Sequence, residues 1–165
     1  MKISIMGYPG AGKTWTTEYL SKTYGLPAMQ LDAVVFDKNW KRLDAAAVLP
    51  KVAAFMAQEH WVIDGYYSDV LFEERMQAAD KIVLLLLPRR TCLWRAVKRS
   101  KARRAAGYKN DLNAWFIKFL LFESRSPERQ KVYRDIIRRY GDKVAVLKSQ
   151  KQVERFLLEL QKEKL

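Results

Sequence analysis

The start of the chain carries a glycine-rich pattern whose residue types suit phosphate binding. Gly7, Gly12, Lys13 and Thr14 fit the spacing G-x-x-x-x-G-K-[ST]. Glycines permit backbone torsions that turn several N–H groups toward an anion, and the start of a following helix adds its dipole. Lys13 is placed to reach terminal phosphates, and Thr14 to ligate Mg²⁺. The residues predicted to bind a nucleotide here are Gly7, Pro9, Gly10, Ala11, Gly12, Lys13 and Thr14.

Two carboxylates follow short apolar runs farther along the chain. Asp32 lies in "QLDAV" and Asp64 in "VIDGY". Ligands of open α/β sheets bind outside the carboxyl ends of the strands, so a carboxylate there would lie beside the mouth of a phosphate-binding loop. Each residue also has a plainer interpretation, because Asp-Gly pairs form turns and aspartate caps helices.

A strongly basic stretch is the third chemical feature. Nine Lys or Arg residues and no acidic residue lie between Arg89 and Lys109, and the whole chain has a formal net charge of +13. A positive field attracts phosphates of any kind, so charge alone does not distinguish a nucleotide from a nucleic acid. The stretch predicts a phosphate clamp, with a solvated basic helix face as the alternative.

Five short apolar runs and the segments between them predict the elements that position these residues. The runs predict strands over 3–6, 27–31, 61–63, 81–87 and 144–147, and helices are predicted over 14–24, 44–59, 89–106, 126–140 and 152–160. Apolar residues at helical spacing mark a further segment over 112–120. Alternating strands and helices predict a three-layer α/β fold, a five-stranded parallel sheet with helices on both faces.

Length and composition limit the remaining possibilities. A chain of 165 residues, 49% of them hydrophobic, predicts one domain spanning 1–165. We expect a cytoplasmic protein, since the longest apolar run stops at Pro88 and no secretory signal is visible. With one cysteine and one histidine, an intrachain disulfide and a zinc cluster are both excluded, so any metal is expected to be a hard cation held by oxygen.

The order of several motifs resembles a known family. The segments "GYPGAGKT", "LDAVVFDKNW", "WVIDGYYSD" and "LLPRRTCLWRAVKRS" look like the bacterial P-loop proteins called DNA topology modulation proteins, relatives of adenylate kinases. The resemblance covers nearly the whole chain. It implies an adenylate-kinase-like fold that uses ATP and Mg²⁺, with an acceptor-side segment at about 32–60 and a lid at about 89–129.

The resemblance also implies roles for single residues. Arg95 and Arg99 match the lid-base arginines of adenylate kinases, one stacking on adenine and the other contacting phosphates, and either Arg125 or Arg129 matches a later lid arginine. Guanidinium groups suit both tasks, and the i, i+4 spacing puts the first pair on one helix face. Asp64 would position Mg²⁺ with Thr14. The loop containing Ser149 and Gln150 would contact the adenine.

The acceptor is left open by these motifs. Asp32 would meet an acceptor hydroxyl or the metal, and Asp64 would also face the acceptor. Adenylate kinases have a phosphate-gripping arginine after the Asp-Gly pair, whereas this chain has Tyr66, Tyr67 and Ser68. We therefore predict Mg²⁺-dependent transfer of the ATP γ-phosphate to a small acceptor, with Lys13, Asp64, Arg95, Arg99 and Arg125 as the catalytic residues.

Two other functions fit the same residues. The first is a DNA-binding ATPase whose basic helix lies along nucleic acid, and the second is a small-molecule kinase of the shikimate or gluconate type. Aromatic residues at helical spacing favour packing, although an aromatic amid positive charge also suits base stacking. These residues are Trp40, Trp94, Trp115, Phe116 and Phe119.

Overall fold

A five-stranded parallel sheet forms the centre of the fold and confirms the predicted fold class. The computed structural model describes residues 1–107 and 112–163. The strands are β1 (Lys2–Gly7), β2 (Ala28–Gln30), β3 (Trp61–Asp64), β4 (Lys81–Leu85) and β5 (Val144–Leu147). Their order in the sheet is β2-β3-β1-β4-β5, so β1 lies in the middle and the chain crosses over between successive strands. The apolar runs in the sequence located all five.

Helices surround the sheet. They are α1 (Lys13–Tyr24), α2 (Leu31–Val35), α3 (Ala45–Met56), α4 (Phe72–Ala78), α5 (Arg89–Ala105), α6 (Ala114–Leu121), α7 (Pro127–Tyr140) and α8 (Gln150–Glu163). Short 3-10 turns follow at Glu123–Arg125 and Gly141–Lys143. Helices α2 and α4 were not predicted. They span five and seven residues, too few for a helical period to emerge from the sequence.

The basic helix α5 shows how a charged segment is held in the fold. Cys92, Ala96 and Ser100 are buried at intervals of four residues, so one narrow stripe of the helix packs inward. The small side chains on this stripe let the helix approach its neighbours closely. The predicted lid at 89–129 includes residues 108–111, which lie outside the described residues.

Contacts group the chain into two compact units. The first contains Met1–Gly7, Lys13–Val83 and Asp142–Val144, and the second contains Tyr8–Gly12, Leu84–Gly141 and Ala145–Leu165. Fully buried Ile3, Ile5 and Ile63 from neighbouring strands form part of the first unit's core. Leu120, Val153 and Phe156 are among the buried residues of the second. Across the described ranges, no helix is both long and apolar enough to cross a membrane.

Candidate functional site

The glycine loop, residues 7–12, adopts backbone angles that favour glycine. Gly10 has φ +74°, and a Cβ there would lie 2.5 Å from the Cys92 carbonyl oxygen. Gly12 has φ +101°, and its Cβ would lie 3.0 Å from Nη1 of Arg95. Both positions therefore disfavour a side chain by conformation, and at Gly10 the Cys92 backbone also leaves no space for one. The second contact also shows that the Arg95 guanidinium lies directly against the loop.

Lys13 is the first residue of α1, as the loop pattern predicts. Its Nζ donates a hydrogen bond to the Gly7 carbonyl, 3.2 Å away. Thr14 follows in the first turn of the helix and is exposed. The lysine ammonium and the helix N-terminus thus put positive charge at the end of the glycine loop.

Asp64 is the last residue of β3 and is almost completely buried, at 4% exposure. It lies in register with Ile5 of β1 and Gln30 of β2. Its Oδ2 accepts a hydrogen bond from the Thr17 hydroxyl at 3.3 Å. Burial raises the pKa of this carboxyl to about 6, against an opposing effect of the Lys13 charge. A buried carboxylate near a lysine can interact with a cation or a transferred proton.

Asp32 follows the second strand and lies at the start of a short helix. The second strand ends at Gln30 rather than Leu31, so Asp32 lies in the first turn of α2. Its Oδ1 accepts a hydrogen bond from the Tyr67 hydroxyl. Burial and this hydrogen bond hold the pKa of Tyr67 well above its ordinary value, so the phenol remains a donor. Asp32 is thus bonded to one of the residues that follow the Asp-Gly pair, where adenylate kinases have an arginine.

Aromatic rings and an ion pair surround Tyr67. The Phe36 ring centroid lies 6.3 Å from that of Tyr67 and 5.7 Å from that of Trp40. The Arg42 guanidinium carbon lies 5.8 Å from the Tyr67 ring centroid. Its Nη2 contacts Oδ2 of Asp69 at 2.5 Å. The carboxylate of Asp32 therefore stands at one end of a row of three rings.

Arg95 connects two of the predicted nucleotide-binding segments of the second unit. Its Nη1 donates to the Ala11 carbonyl at 2.8 Å, and its Nη2 donates to Oε1 of Gln150. The structure therefore brings Arg95 and Gln150 together at the glycine loop. The Ser149 hydroxyl instead accepts a hydrogen bond from the Gln152 amide, which satisfies a backbone donor at the start of α8.

The structure separates the arginines that the sequence left undistinguished. The Arg125 guanidinium carbon lies 3.7 Å from the Tyr8 ring centroid, and its Nη2 donates to the Leu87 carbonyl at 2.8 Å. Within the described part of the chain, its buried Nε has no hydrogen-bond partner. Arg129 instead lies 5.5 Å from the Phe119 ring centroid, and Arg99 lies 5.9 Å from that of Phe116. Arg125 therefore lies against a residue of the glycine loop, and the role of Arg125 or Arg129 as the later lid arginine stays a prediction.

Three tryptophans considered for packing or base stacking are largely exposed. The exposed fractions are 73% for Trp40, 62% for Trp94 and 65% for Trp115. Trp94 pairs with Lys98, whose Nζ lies 5.2 Å from its ring centroid, and Trp115 stacks on Phe119 at 5.5 Å. These rings are therefore surface residues, and none belongs to the core.

Two residues that bond the predicted carboxylates could not be predicted from the sequence. Thr17 and Tyr67 each bond a predicted carboxylate, but one lies 47 residues from its partner and the other 35. Tyr8 lies within the loop pattern at a position that accepts any residue. Pairs so distant in sequence leave no local signal. The doubled tyrosine after the Asp-Gly pair was the nearest available indication.

Comparison with known proteins supports the fold. No family profile and no curated protein sequence matches this chain. A deoxyadenosine kinase structure from M. mycoides with bound dATP superposes with a TM-score of 0.61 at 14% identity, covering 98% of this chain and 100% of that one. The protein TT1252 from Thermus thermophilus gives 0.56 at 19% identity, with 99% and 97% covered. A shikimate kinase from Bacteroides thetaiotaomicron gives 0.53 at 17% identity, with 98% and 96% covered.

These similarities define the class of fold. The chain has the fold of P-loop kinases, a five-stranded parallel sheet surrounded by helices, as the resemblance to adenylate kinases implies. At such identities the likeness concerns the fold alone. The assignment to the topology modulation family is not confirmed by the comparisons, and it stays a prediction. They also give no support for binding of nucleic acid.

Proposed function

We propose that this protein is a kinase that transfers the γ-phosphate of ATP to a small acceptor. The observation that carries the proposal is the glycine loop, in which Gly7, Gly10 and Gly12, all at positive φ, precede a lysine that begins a helix. That arrangement suits a triphosphate, because backbone N–H groups and an ammonium can surround its oxygens. Two of the proteins with a similar fold are themselves kinases, a deoxyadenosine kinase and a shikimate kinase.

Each group in the site has a proposed task. Lys13 and the loop amides bind the β- and γ-phosphates, and Arg125, next to Tyr8 of the loop, contributes a second cation. Arg95 binds the nucleotide at Ala11, where Gln150 orients its guanidinium. Arg99 remains a proposed phosphate contact through its position one helical turn after Arg95. Phosphoryl transfer depends mainly on positioning and charge stabilisation, which these groups supply.

The oxygen donors present also suit Mg²⁺. Thr14 and Asp64 would hold the ion, and a hydroxyl and a carboxylate are hard ligands of the kind it prefers. Among the described residues, no group of three or more His, Cys, Asp and Glu side chains could hold a metal ion. Water and phosphate oxygens usually complete the coordination of Mg²⁺ when proteins contribute one or two ligands. When bound, the ion would neutralise charge on the phosphates.

The Lys13→Ala variant tests the proposal. We expect ADP formation from MgATP in the presence of a working acceptor to fall by about 100-fold, since removing one such charge-stabilising group typically costs this much. Lys22→Ala is the matched control, because Lys22 is an exposed lysine in the last turn of the same helix. Acceptors to be tested are nucleosides, nucleoside monophosphates, shikimate and gluconate, with DNA added separately. Turnover that is equal in both variants, or that depends on DNA alone, would refute a small-acceptor kinase.

A further inference from the structure

The residues after β2 (31–44) and after β3 (65–75) are called the acceptor segment here. They place a carboxylate that binds a hydroxyl group beside a row of aromatic rings. Oδ1 of Asp32 accepts the Tyr67 hydroxyl, and the rings of Tyr67, Phe36 and Trp40 follow one another at centroid distances of 6.3 and 5.7 Å. The contact shows that this carboxylate can bind a neutral hydroxyl group. Rings beside it offer flat apolar surface for a second ring.

The ring at the far end of this row is held in an unusual conformation. Trp40 is 73% exposed and has φ +59°, which is uncommon for a bulky residue. Its backbone N–H donates to the Asp37 carbonyl at 3.1 Å, and Oδ1 of Asp37 accepts the N–H groups of Asn39 and Lys41. A turn with this many internal bonds keeps a large exposed ring next to Phe36. Such local strain is typical of positions that contact ligands.

The two arginines of this segment, Arg42 and Arg75, are already engaged, whereas Lys38 and Lys41 stand close to Trp40 in the sequence. Arg42 forms an ion pair with Asp69. Arg75 is fully buried and donates to the carbonyls of Gly65, Tyr67 and Val70 at 2.9 to 3.2 Å. The buried guanidinium thus fixes the loop that presents Tyr67, and both arginines bond groups of the protein itself.

Negative charge at the ends of β2 and β3 also disfavours a phosphorylated acceptor. Asp64 ends β3 in register with Gln30 of β2, and Asp32 follows two residues after Gln30. Both carboxylates therefore lie at the carboxyl ends of adjacent strands. A phosphorylated acceptor would meet this charge without a guanidinium to balance it, whereas an uncharged hydroxyl would be bound by it.

We infer that the acceptor is an uncharged, ring-bearing alcohol of the nucleoside class, bound by Asp32 and Tyr67 with its ring along Phe36 and Trp40. This inference rests on the proposed kinase function. In the transfer, the acceptor oxygen forms a bond to the γ-phosphorus of ATP while the bond from that phosphorus to the β–γ bridging oxygen breaks. ADP leaves with the bonding electron pair, and the acceptor proton passes to the Asp32 carboxylate.

The first test compares each common nucleoside with its own 5′-monophosphate, alongside shikimate and gluconate as acceptors without an aromatic ring. We expect kcat/KM for the best nucleoside to exceed that for its monophosphate by at least about tenfold, the effect of roughly one unbalanced charge contact. ADP formation with monophosphates, or with the acceptors that lack an aromatic ring, as the better substrates would overturn this inference and leave the kinase function intact. ADP formation that needs no acceptor, or that persists in Lys13→Ala, would overturn the function itself.

The second test separates a substrate contact from a structural one. Tyr67→Phe removes only the hydroxyl, and we expect the acceptor KM to rise about tenfold while the KM for ATP stays unchanged. Tyr66→Phe is the matched control, since the Tyr66 ring packs edge-on against Phe72 at 5.5 Å. Trp40→Ala should raise the KM of ring-bearing acceptors more than that of glycerol. Equal acceptor KM values in Tyr67→Phe and Tyr66→Phe would contradict the assignment of Tyr67.

Discussion

The residues proposed to bind the nucleotide, in the second unit, and those proposed to bind the acceptor, in the first unit, use different chemistry. Around the glycine loop, Arg95 and Arg125 bond backbone carbonyls and lie against loop residues, so the loop is surrounded by cations. In the proposed acceptor segment, Asp32 and Asp64 lie at the ends of adjacent strands, Arg42 is paired with Asp69, and Arg75 is buried. One region suits a polyphosphate and the other suits an uncharged alcohol. A net charge of +13 therefore does not describe every region of this chain.

The largest effect is expected in the glycine loop. Gly10→Ala forces a side chain into φ +74° and places its Cβ 2.5 Å from the Cys92 carbonyl oxygen. We expect a loss of unfolding free energy on the order of 3 kcal/mol and a collapse of ATP affinity, because strain and overlap act together. Urea unfolding and ATP titration calorimetry measure the two effects.

Gly25→Ala provides the control for this change. Gly25 also has a positive φ, +65°, but nothing lies within 4 Å of a Cβ built there. The expected cost is about 1 kcal/mol from conformation alone, without an effect on ATP. Equal losses of unfolding free energy in the two variants would show that the Cys92 backbone moves away from the new side chain and that the loop is not tightly packed.

These two regions also differ in how far the sequence revealed them. The glycine loop could be predicted because its residues are consecutive and the apolar run of β1 and the helix α1 flank it. The acceptor segment depends on α2, which is too short to show a period, and on the pairing of Tyr67 with Asp32. The burial of Arg75 was also hidden, since a charged residue in a helix is normally assigned to solvent. Only folding places backbone carbonyls around it.

At Asp64 we expect a substitution to raise the free energy of unfolding, whereas the glycine substitutions lower it. Its pKa in the folded protein is raised to about 6 by burial, above its value of 3.8 in an unfolded chain. The native state therefore binds more protons between these two pH values, and stability falls as pH rises through that window. We expect Asp64→Asn to stabilise the protein at pH 8 by about 1–3 kcal/mol while ATP turnover is lost, since the amide carries no charge.

Urea unfolding at pH 4 and pH 8 measures this effect. The gain from Asp64→Asn should shrink toward pH 4, where the wild-type carboxyl is protonated in the native state. Asp142→Asn changes an exposed carboxylate of the same unit and should have little effect at either pH. Destabilisation of Asp64→Asn at pH 8 would mean that the charge contributes to stability, and that Asp64 is a structural residue.

The smallest effect is expected at the ion pair of the acceptor segment. Asp69→Asn removes the partner of Arg42 and leaves a guanidinium over the Tyr67 ring. We expect the preference for nucleosides over monophosphates to weaken several-fold, because a cation becomes available to phosphate, with a stability change within about 1 kcal/mol. Steady-state kinetics with both acceptors measure this. The double variant Asp69→Asn/Arg42→Gln should restore the preference, and an unchanged preference in Asp69→Asn alone would place Arg42 away from the acceptor.

The hydrogen bond from Lys13 to the Gly7 carbonyl has a thermodynamic consequence for ligand binding. The ammonium and the carbonyl already satisfy one another at 3.2 Å. Because an ammonium has three N–H donors, a phosphate can bond Lys13 while the bond to the Gly7 carbonyl persists. The lysine side chain has also lost part of its rotational freedom before a phosphate arrives, which lowers the entropic cost of capture.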